Sequence, residues 1–404
     1  MSKRLLIANV RAVLPDRILD PGWVFVEEGF ITGVGSGPVR NDKRSSTLEG
    51  DGAYLLPGLV DIHCDAVEKE VEPRPGVLFP VEMACREIER KFAASGIVTI
   101  FHSISFSAGE GVRSNELAAA IARQIIRMGE GPHLIRNLIH LRYEISNDDG
   151  LELVKTLLNE GCGDLLSLMD HTPGQGQYRT VEQYFQYARK TYHLNEQECA
   201  SLVAQKVEAR KNIKAEDLRL LAGLAAQRGI CLASHDDDTP ERVEEMRALG
   251  VTVAEFPVNL TTAQHARAQG MHVCVGAPNL LRGGSHENNL SARDALQHGA
   301  AGILCSDYHP PSLLHAVFSL AADGYGLPAA VRLATLNPAS ATGLAAVLGS
   351  IETGKKADLI MVKLMRGCPV VFAVLSGGRT VARYGYNGAP APAEGITWRY
   401  GNDN

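Results

Sequence analysis

The stretch Leu59-Val60-Asp61-Ile62-His63-Cys64-Asp65 is the place from which this chain is best read. It follows a turn signal, Pro57-Gly58, and opens as an apolar run of strand composition. It ends in an imidazole and a carboxylate two residues apart. On a strand, positions i and i+2 face the same side, so His63 and Asp65 can reach one metal ion together. A lone His-x-Asp pair is more often incidental. Here it gains weight because further strand-like runs also stop at His, Glu or Asp.

From residue 57 onward, apolar strand runs alternate with segments of helical spacing, the pattern of βαβ units and a parallel sheet. The candidate strands are 59–65, 96–104, 133–145, 164–171, 229–236, 251–259, 271–279 and 302–308. Helical spacing is clearest at Asn115 to Met128, Glu241 to Leu249 and Ala263 to Gln269. Eight such repeats predict an α/β fold with a closed (β/α)8 TIM barrel rather than an open doubly wound sheet. No Gly-x-Gly-x-x-Gly turn follows the first strand, which weighs against dinucleotide binding. The barrel would take roughly 290 residues, somewhat above the roughly 250 typical of the fold. The surplus falls at 180–227, a helical stretch that reads equally well as a lid or as extra helical packing or an oligomer contact.

Both flanks have strand character. Leu5 to Val13, Trp23 to Glu27 and Phe30 to Val34 precede the barrel; Asp358 to Val362, Val370 to Leu375 and Thr380 to Tyr384 follow it. These pieces predict a small β-sandwich made by both termini. The expected domains are residues 1–56 and 346–388 for that sandwich, 57–345 for the barrel, and 389–404 as a tail.

The 404 residues carry a net charge of −6, so no global basic field is available for nucleic acid. No apolar run approaches the ~20 residues of a membrane helix, and Leu5 to Val10 is too short for a signal-peptide core. The eight cysteines are scattered without a Cys-x-x-Cys pair, which suits reduced thiols in the cytoplasm.

In a (β/α)8 barrel, polar residues at the carboxyl ends of the strands converge on one mouth. The strand ends supply His63, Asp65, His102, Glu144, Asp170, His171, His235, Asp236 and Asp307. This density of imidazole and carboxylate suits a binuclear centre of two divalent ions, zinc or manganese by ligand type. Cations also remove the cost of crowding the carboxylates. His102 reads more readily as a core histidine. Of Asp236, Asp237 and Asp238, the last two fit best as cap and first-turn acids ahead of Pro240. Asp307 ends a buried-strand run, where an unpaired carboxylate is costly unless it binds metal or shuttles a proton.

A second constellation concerns anions. Arg282-Gly283-Gly284-Ser285-His286 follows the seventh strand, where barrels often bind phosphate. His171-Thr172-Pro173-Gly174-Gln175-Gly176-Gln177 is another glycine-rich mouth loop. Lys69, Arg74, Arg142, Arg179, Lys190, Arg282, Ser285 and His286 are the candidate substrate-binding residues on this rim. Beside a metal centre, so many cations favour a polyphosphate-bearing small molecule.

The plan resembles the amidohydrolase superfamily. The resemblance rests on residues 56–63 (LPGLVDIH), the late segment Leu336-Asn337-Pro338-Ala339 and residues 354–359 (GKKADL). The stretches HLRYE, LSLMDHTPGQGQY, ASHDDD, AEFP, GAPNLLRGGSH and CSDYHP further resemble the diphosphatases of phosphonate catabolism that act on ribosyl triphosphates. That resemblance implies hydrolysis of a ribose 5-triphosphate carrying a 1-methylphosphonate, with release of pyrophosphate. It also implies a ligand set of His63, Asp65 and Asp307 for one metal and His171 and His235 for the other, with Glu144 between. Asp307 would then orient the attacking water and take its proton. The rival expectations are an amidohydrolase acting on a C–N bond, such as a deacetylase or deaminase, and an inactive scaffold. Homo-oligomerisation stays open.

Overall fold

A computed structural model describes residues 4–39, 45–109, 111–178, 180–192, 195–284 and 289–386. The amino-terminal strands are β1 (Arg4–Val13), β2 (Ile18–Glu27), β3 (Phe30–Ser36), β4 (Ser45–Glu49) and β5 (Tyr54–Pro57). Then come β6 (Leu59–Cys64), β7 (Ile97–Phe106), β8 (Arg136–Glu144), β9 (Leu165–Met169), β10 (Cys231–His235), β11 (Val253–Glu255), β12 (His272–Gly276) and β13 (Ile303–Cys305). The chain closes with β14 (Leu359–Met365), β15 (Cys368–Ser376) and β16 (Arg379–Arg383).

Strands β6 to β13 pair in parallel in sequence order, as the alternating pattern predicts. The seam between β13 and β6 is closed by Asp307 N–H donating to the His63 carbonyl at 2.9 Å and Asp65 N–H donating to the Asp307 carbonyl at 2.8 Å. The (β/α)8 barrel is thus the architecture of the middle of the chain. Period-two alternation sorts each strand. Phe101, Leu165, Ala233, Val253, Cys274 and Cys305 fill the interior, while Ile100, Ile104, Leu166, Leu232 and Leu304 pack against the helices outside.

The terminal strands form one further sheet in the order β16-β15-β14-β5-β1-β2-β3, with β4 beside β1. Its junction is β5, which runs antiparallel to β14 and parallel to β1. One face closes its own core of Ile7, Val24, Ile31, Leu55, Leu359 and Ala373; the other, through Ile360, Val362 and Val371, joins the core around the barrel.

Several strands are shorter than their apolar runs. The run 251–259 holds only Val253–Glu255, and 302–308 holds only Ile303–Cys305. The run 271–279 divides into β12 and a helix, Ala277–Arg282, with proline in its first turn. Arg282 therefore ends a helix, capped by Gly283 in the left-handed region (φ 78°), and most of the expected phosphate loop beyond it, from Ser285 on, lies outside the described residues. The surplus is also smaller than expected. Ala215–Gln227 is an ordinary crossover helix that packs Leu218, Leu221 and Ala225 on the barrel wall. What remains is the helix pair Val181–Tyr192 and Glu196–Lys211, with a separate core of Tyr178, Tyr184, Ala188, Cys199 and Val203. The expected tail, 389–404, lies outside the described residues.

Candidate active site

The first barrel strand does not deliver its two polar residues as a regular strand would. Asp61 pairs with Ile100 and Cys64 with His102, so three steps along β6 face two along β7. This is a bulge, and it re-aims the strand end. His63 turns into the barrel, whereas Asp65 lies beyond the strand as the N-cap residue of the helix Ala66–Val71. Asp61 is held below by the Ser306 hydroxyl and backbone N–H, and burial raises its carboxyl to about 7.

His63 stands in a fully buried group. Its Nδ1 lies 2.9 Å from Glu255 Oε1, and the second oxygen of Glu255 is 3.7 Å from His140 Nε2 and 3.6 Å from His235 Nδ1. Sequence reasoning passed over both His140 and Glu255. The signal for His140 was present: His140, Arg142 and Glu144 alternate along β8, so all three point inward. Burial lowers His63 and His235 and brings His140 down to about 3, keeping these rings neutral and able to ligate.

A second group forms one layer higher. His171 Nδ1 lies 3.0 Å from Glu144 Oε2, and its backbone N–H also donates to that carboxylate at 3.1 Å. Asp236 Oδ2 sits 3.5 Å from His171 Nε2 and 3.6 Å from His235 Nε2. For His171 burial favours the neutral ring, but hydrogen bonds to Asp236 and Glu144 outweigh it and raise the group to about 9. The rings of His63 and His235 stack at 5.3 Å and 16°, with Phe256 edge-on to both, so the two groups share one wall.

Two sets of ligand atoms come within 4.8 Å of one another among the described residues: His63, His140 and Glu255, and His171, His235 and Asp236. Asp65 and Asp307 stand beside these groups rather than in them. Burial raises both carboxyls, Asp307 to about 7, and Asp65 adds to the rise at Asp307 by like charge. The residues present fit divalent cations. Asp65 Oδ1 is buried without a hydrogen-bond partner, and Asp236 Oδ2 and Glu255 Oε2 are buried with imidazole nitrogens no nearer than 3.5 Å and 3.6 Å, a costly state that a cation relieves.

Three of the turns that deliver these side chains hold a residue other than glycine in the left-handed region: Asp236 (φ 57°), Phe256 (φ 52°) and Asp307 (φ 58°). Such backbone is strained and gathers at working sites. Asp237 and Asp238 are not caps. Thr239 caps the helix Pro240–Ala248, Asp237 accepts from Ser234, and Asp238 accepts from the Gly176 N–H at 3.0 Å.

The cations divide by depth. Arg142 is 7% exposed, and its guanidinium donates to His235 Nε2 and to Ser105 Oγ, both at 3.3 Å. Lys69 and Arg282 are exposed near the loop that follows β13, where Lys69 Nζ lies 4.8 Å from the centre of the Tyr308 ring. Arg74 is exposed in a turn with Val77. Arg179, Ser285 and His286 lie outside the described residues, as does the side chain of Lys190. His102 faces outward, against Phe92 and Asn137. Asp170 binds Thr172 and approaches Arg210 at 4.0 Å, bringing the end of the surplus helix pair to the mouth.

Comparison with known proteins follows the same lines. Residues 171–382 match the model of the amidohydrolase family. The chain is 35% identical over 362 residues to the alpha-D-ribose 1-methylphosphonate 5-triphosphate diphosphatase of Escherichia coli (strain K12), covering 88% of this chain and 94% of that one. It is 23% identical to a 5-methylthioadenosine/S-adenosylhomocysteine deaminase of Syntrophomonas wolfei, covering 89% and 85% of the two chains. Among solved structures, a prolidase complexed with N-methylphosphonate-L-proline superposes with a TM-score of 0.64 at 14% identity, covering 95% of this chain and all of that one.

Proposed function

Because the chain belongs to the amidohydrolase family, we propose that it is a metal-dependent hydrolase cleaving α-D-ribose 1-methylphosphonate 5-triphosphate to the 5-phosphate and pyrophosphate in phosphonate catabolism. The observation that carries this reading is the kinship with the Escherichia coli diphosphatase along nearly the full length of both chains. The site agrees in kind, with imidazoles and carboxylates on its floor, a buried arginine among them and free cations at its rim.

The residues that would hold two divalent cations are His63, Asp65, Glu144, His171, His235 and Asp307, joined by His140, Asp236 and Glu255. Zinc or manganese suits this set of nitrogen and oxygen donors. When bound, such ions supply Lewis acidity, lowering the pKa of water and withdrawing charge from phosphoryl oxygens. Eight scattered cysteines without a Cys-x-x-Cys pair suit a cytoplasmic setting.

The chain's own side chains do the rest. Asp307 orients the attacking water and takes its proton. The water oxygen bonds to the α-phosphorus, the bond from that phosphorus to the bridging oxygen breaks, and pyrophosphate leaves with the electron pair. Arg142, buried beside His235, faces the reacting phosphate, and Lys69 and Arg282 meet the charge that builds on the leaving group. Phosphorus NMR of purified protein with the ribosyl triphosphate tests the reading. Equal amounts of 5-phosphate and pyrophosphate, formed only with divalent metal present, are expected. An intact triphosphate contradicts it.

A further inference from the structure

We infer that Tyr308 gathers Lys69 and Arg282 into a seat for the pyrophosphate end of the substrate, a positioning role that rests on the reading above. Tyr308 follows Asp307 directly, and the left-handed turn at Asp307 leaves its ring half-buried at the mouth. Lys69 Nζ lies over one face of that ring, 4.8 Å from its centre, and Arg282 Nη1 lies 3.5 Å from the phenol oxygen.

The three residues come from adjacent parts of the barrel. Lys69 sits on the helix after β6, Arg282 ends the helix after β12, and Tyr308 follows β13, which lies between them. The pairing matters because neither cation is otherwise committed. Among the described residues neither Lys69 nor Arg282 forms an ion pair, whereas Arg113 on the same rim is tied to Glu68 at 3.1 Å and to Asp65 at 3.8 Å. Two cations held to one aromatic ring repel each other until an anion joins them, and a π-face with a phenol oxygen is a way to hold both without neutralising either.

Depth assigns the anion. The charge of Lys69 is felt by Asp65 and Asp307, so the seat adjoins the reacting groups, yet it lies in the exposed layer above Arg142. A triphosphate whose α-phosphorus is at the floor must point its β- and γ-phosphates outward, towards this ring. Charge develops there as pyrophosphate departs.

Calorimetric titration of the metal-loaded protein with pyrophosphate tests the role. Tyr308→Leu removes both contacts and is expected to weaken binding about tenfold; Tyr308→Phe keeps the ring under Lys69 and is expected to cost about threefold. Lys69→Met alone is expected to cost about tenfold, but less than about twofold when added to Tyr308→Leu, because the ring acts through the lysine. Unchanged affinity in Tyr308→Leu overturns the inference, and so do penalties that simply multiply. Both variants alter exposed or half-exposed side chains, and Tyr308→Phe guards against loss of folding. The titration reads binding and not turnover. Tyr308-dependent pyrophosphate binding in a chain that leaves the ribosyl triphosphate intact would keep the seat and remove the proposed reaction.

Discussion

Across the barrel seam, the Asp307 N–H donates to the carbonyl oxygen of His63 at 2.9 Å, and the returning bond runs from Asp65 N–H to the Asp307 carbonyl at 2.8 Å. Closure of the fold and assembly of the site are therefore one event. The strand end that carries His63 and the turn that carries Asp307 are fixed to each other by the backbone, whatever their side chains hold.

That separation of backbone and side-chain roles sets the first prediction. Asp307→Asn is expected to lower kcat by roughly 10²- to 10⁴-fold, the usual worth of a positioned acid–base group, with little change in thermal midpoint. Asparagine tolerates the left-handed conformation at φ 58° at least as well as aspartate. Asp307→Ala adds backbone strain of about 1–2 kcal/mol and should unfold earlier. Pyrophosphate release and melting curves for the two variants check both halves; wild-type turnover in Asp307→Asn contradicts the assignment.

Glu255 is fully buried and its carboxylate faces His63, His140 and His235 together. Glu255→Gln is expected to lower bound metal by about one equivalent per chain while the barrel still folds, since the amide replaces the carboxylate in shape. Elemental analysis after gel filtration reads this directly. Full metal content in the variant would remove Glu255 from the ligand set.

His102 gives a stability prediction away from the site. Its ring is buried between Phe92 and Asn137, and burial lowers the group from 6.5 to about 4. The unfolded chain thus binds the proton first as pH falls. The contribution is full above pH 6.5 and is lost as pH drops through 6.5 towards 4. Between pH 7 and 4.5 the wild type should lose on the order of 2 kcal/mol more than His102→Gln, read from denaturant midpoints. Equal losses would mean the ring is not held neutral.

Much of this was legible in the chain. The alternation of strand and helix carried the barrel, and β14 to β16 matched the strand-like pieces after Ala341 within a few residues. Among the candidate ligands, His63, Glu144, His171 and His235 converge because a parallel barrel brings all carboxyl ends to one rim. His140 lies four residues before the end of β8, and Glu255 ends β11 in the middle of the run 251–259, so neither stands at the end of its apolar run, and burial inside such a run normally excludes charge. The bulge in β6 could not be read, since an extra residue between Asp61 and Cys64 leaves no mark on composition. Arg142 was placed on the rim by its charge, whereas the inward period of β8 sinks it to the floor beside His235.

The proposed reaction delivers water to the α-phosphorus of a ribosyl triphosphate. Turnover in ¹⁸O-labelled water, followed by the isotope shift in phosphorus NMR, tests it most directly. One labelled oxygen is expected in the sugar 5-phosphate and none in pyrophosphate. Label in the pyrophosphate would place the attack on the β-phosphorus and contradict it.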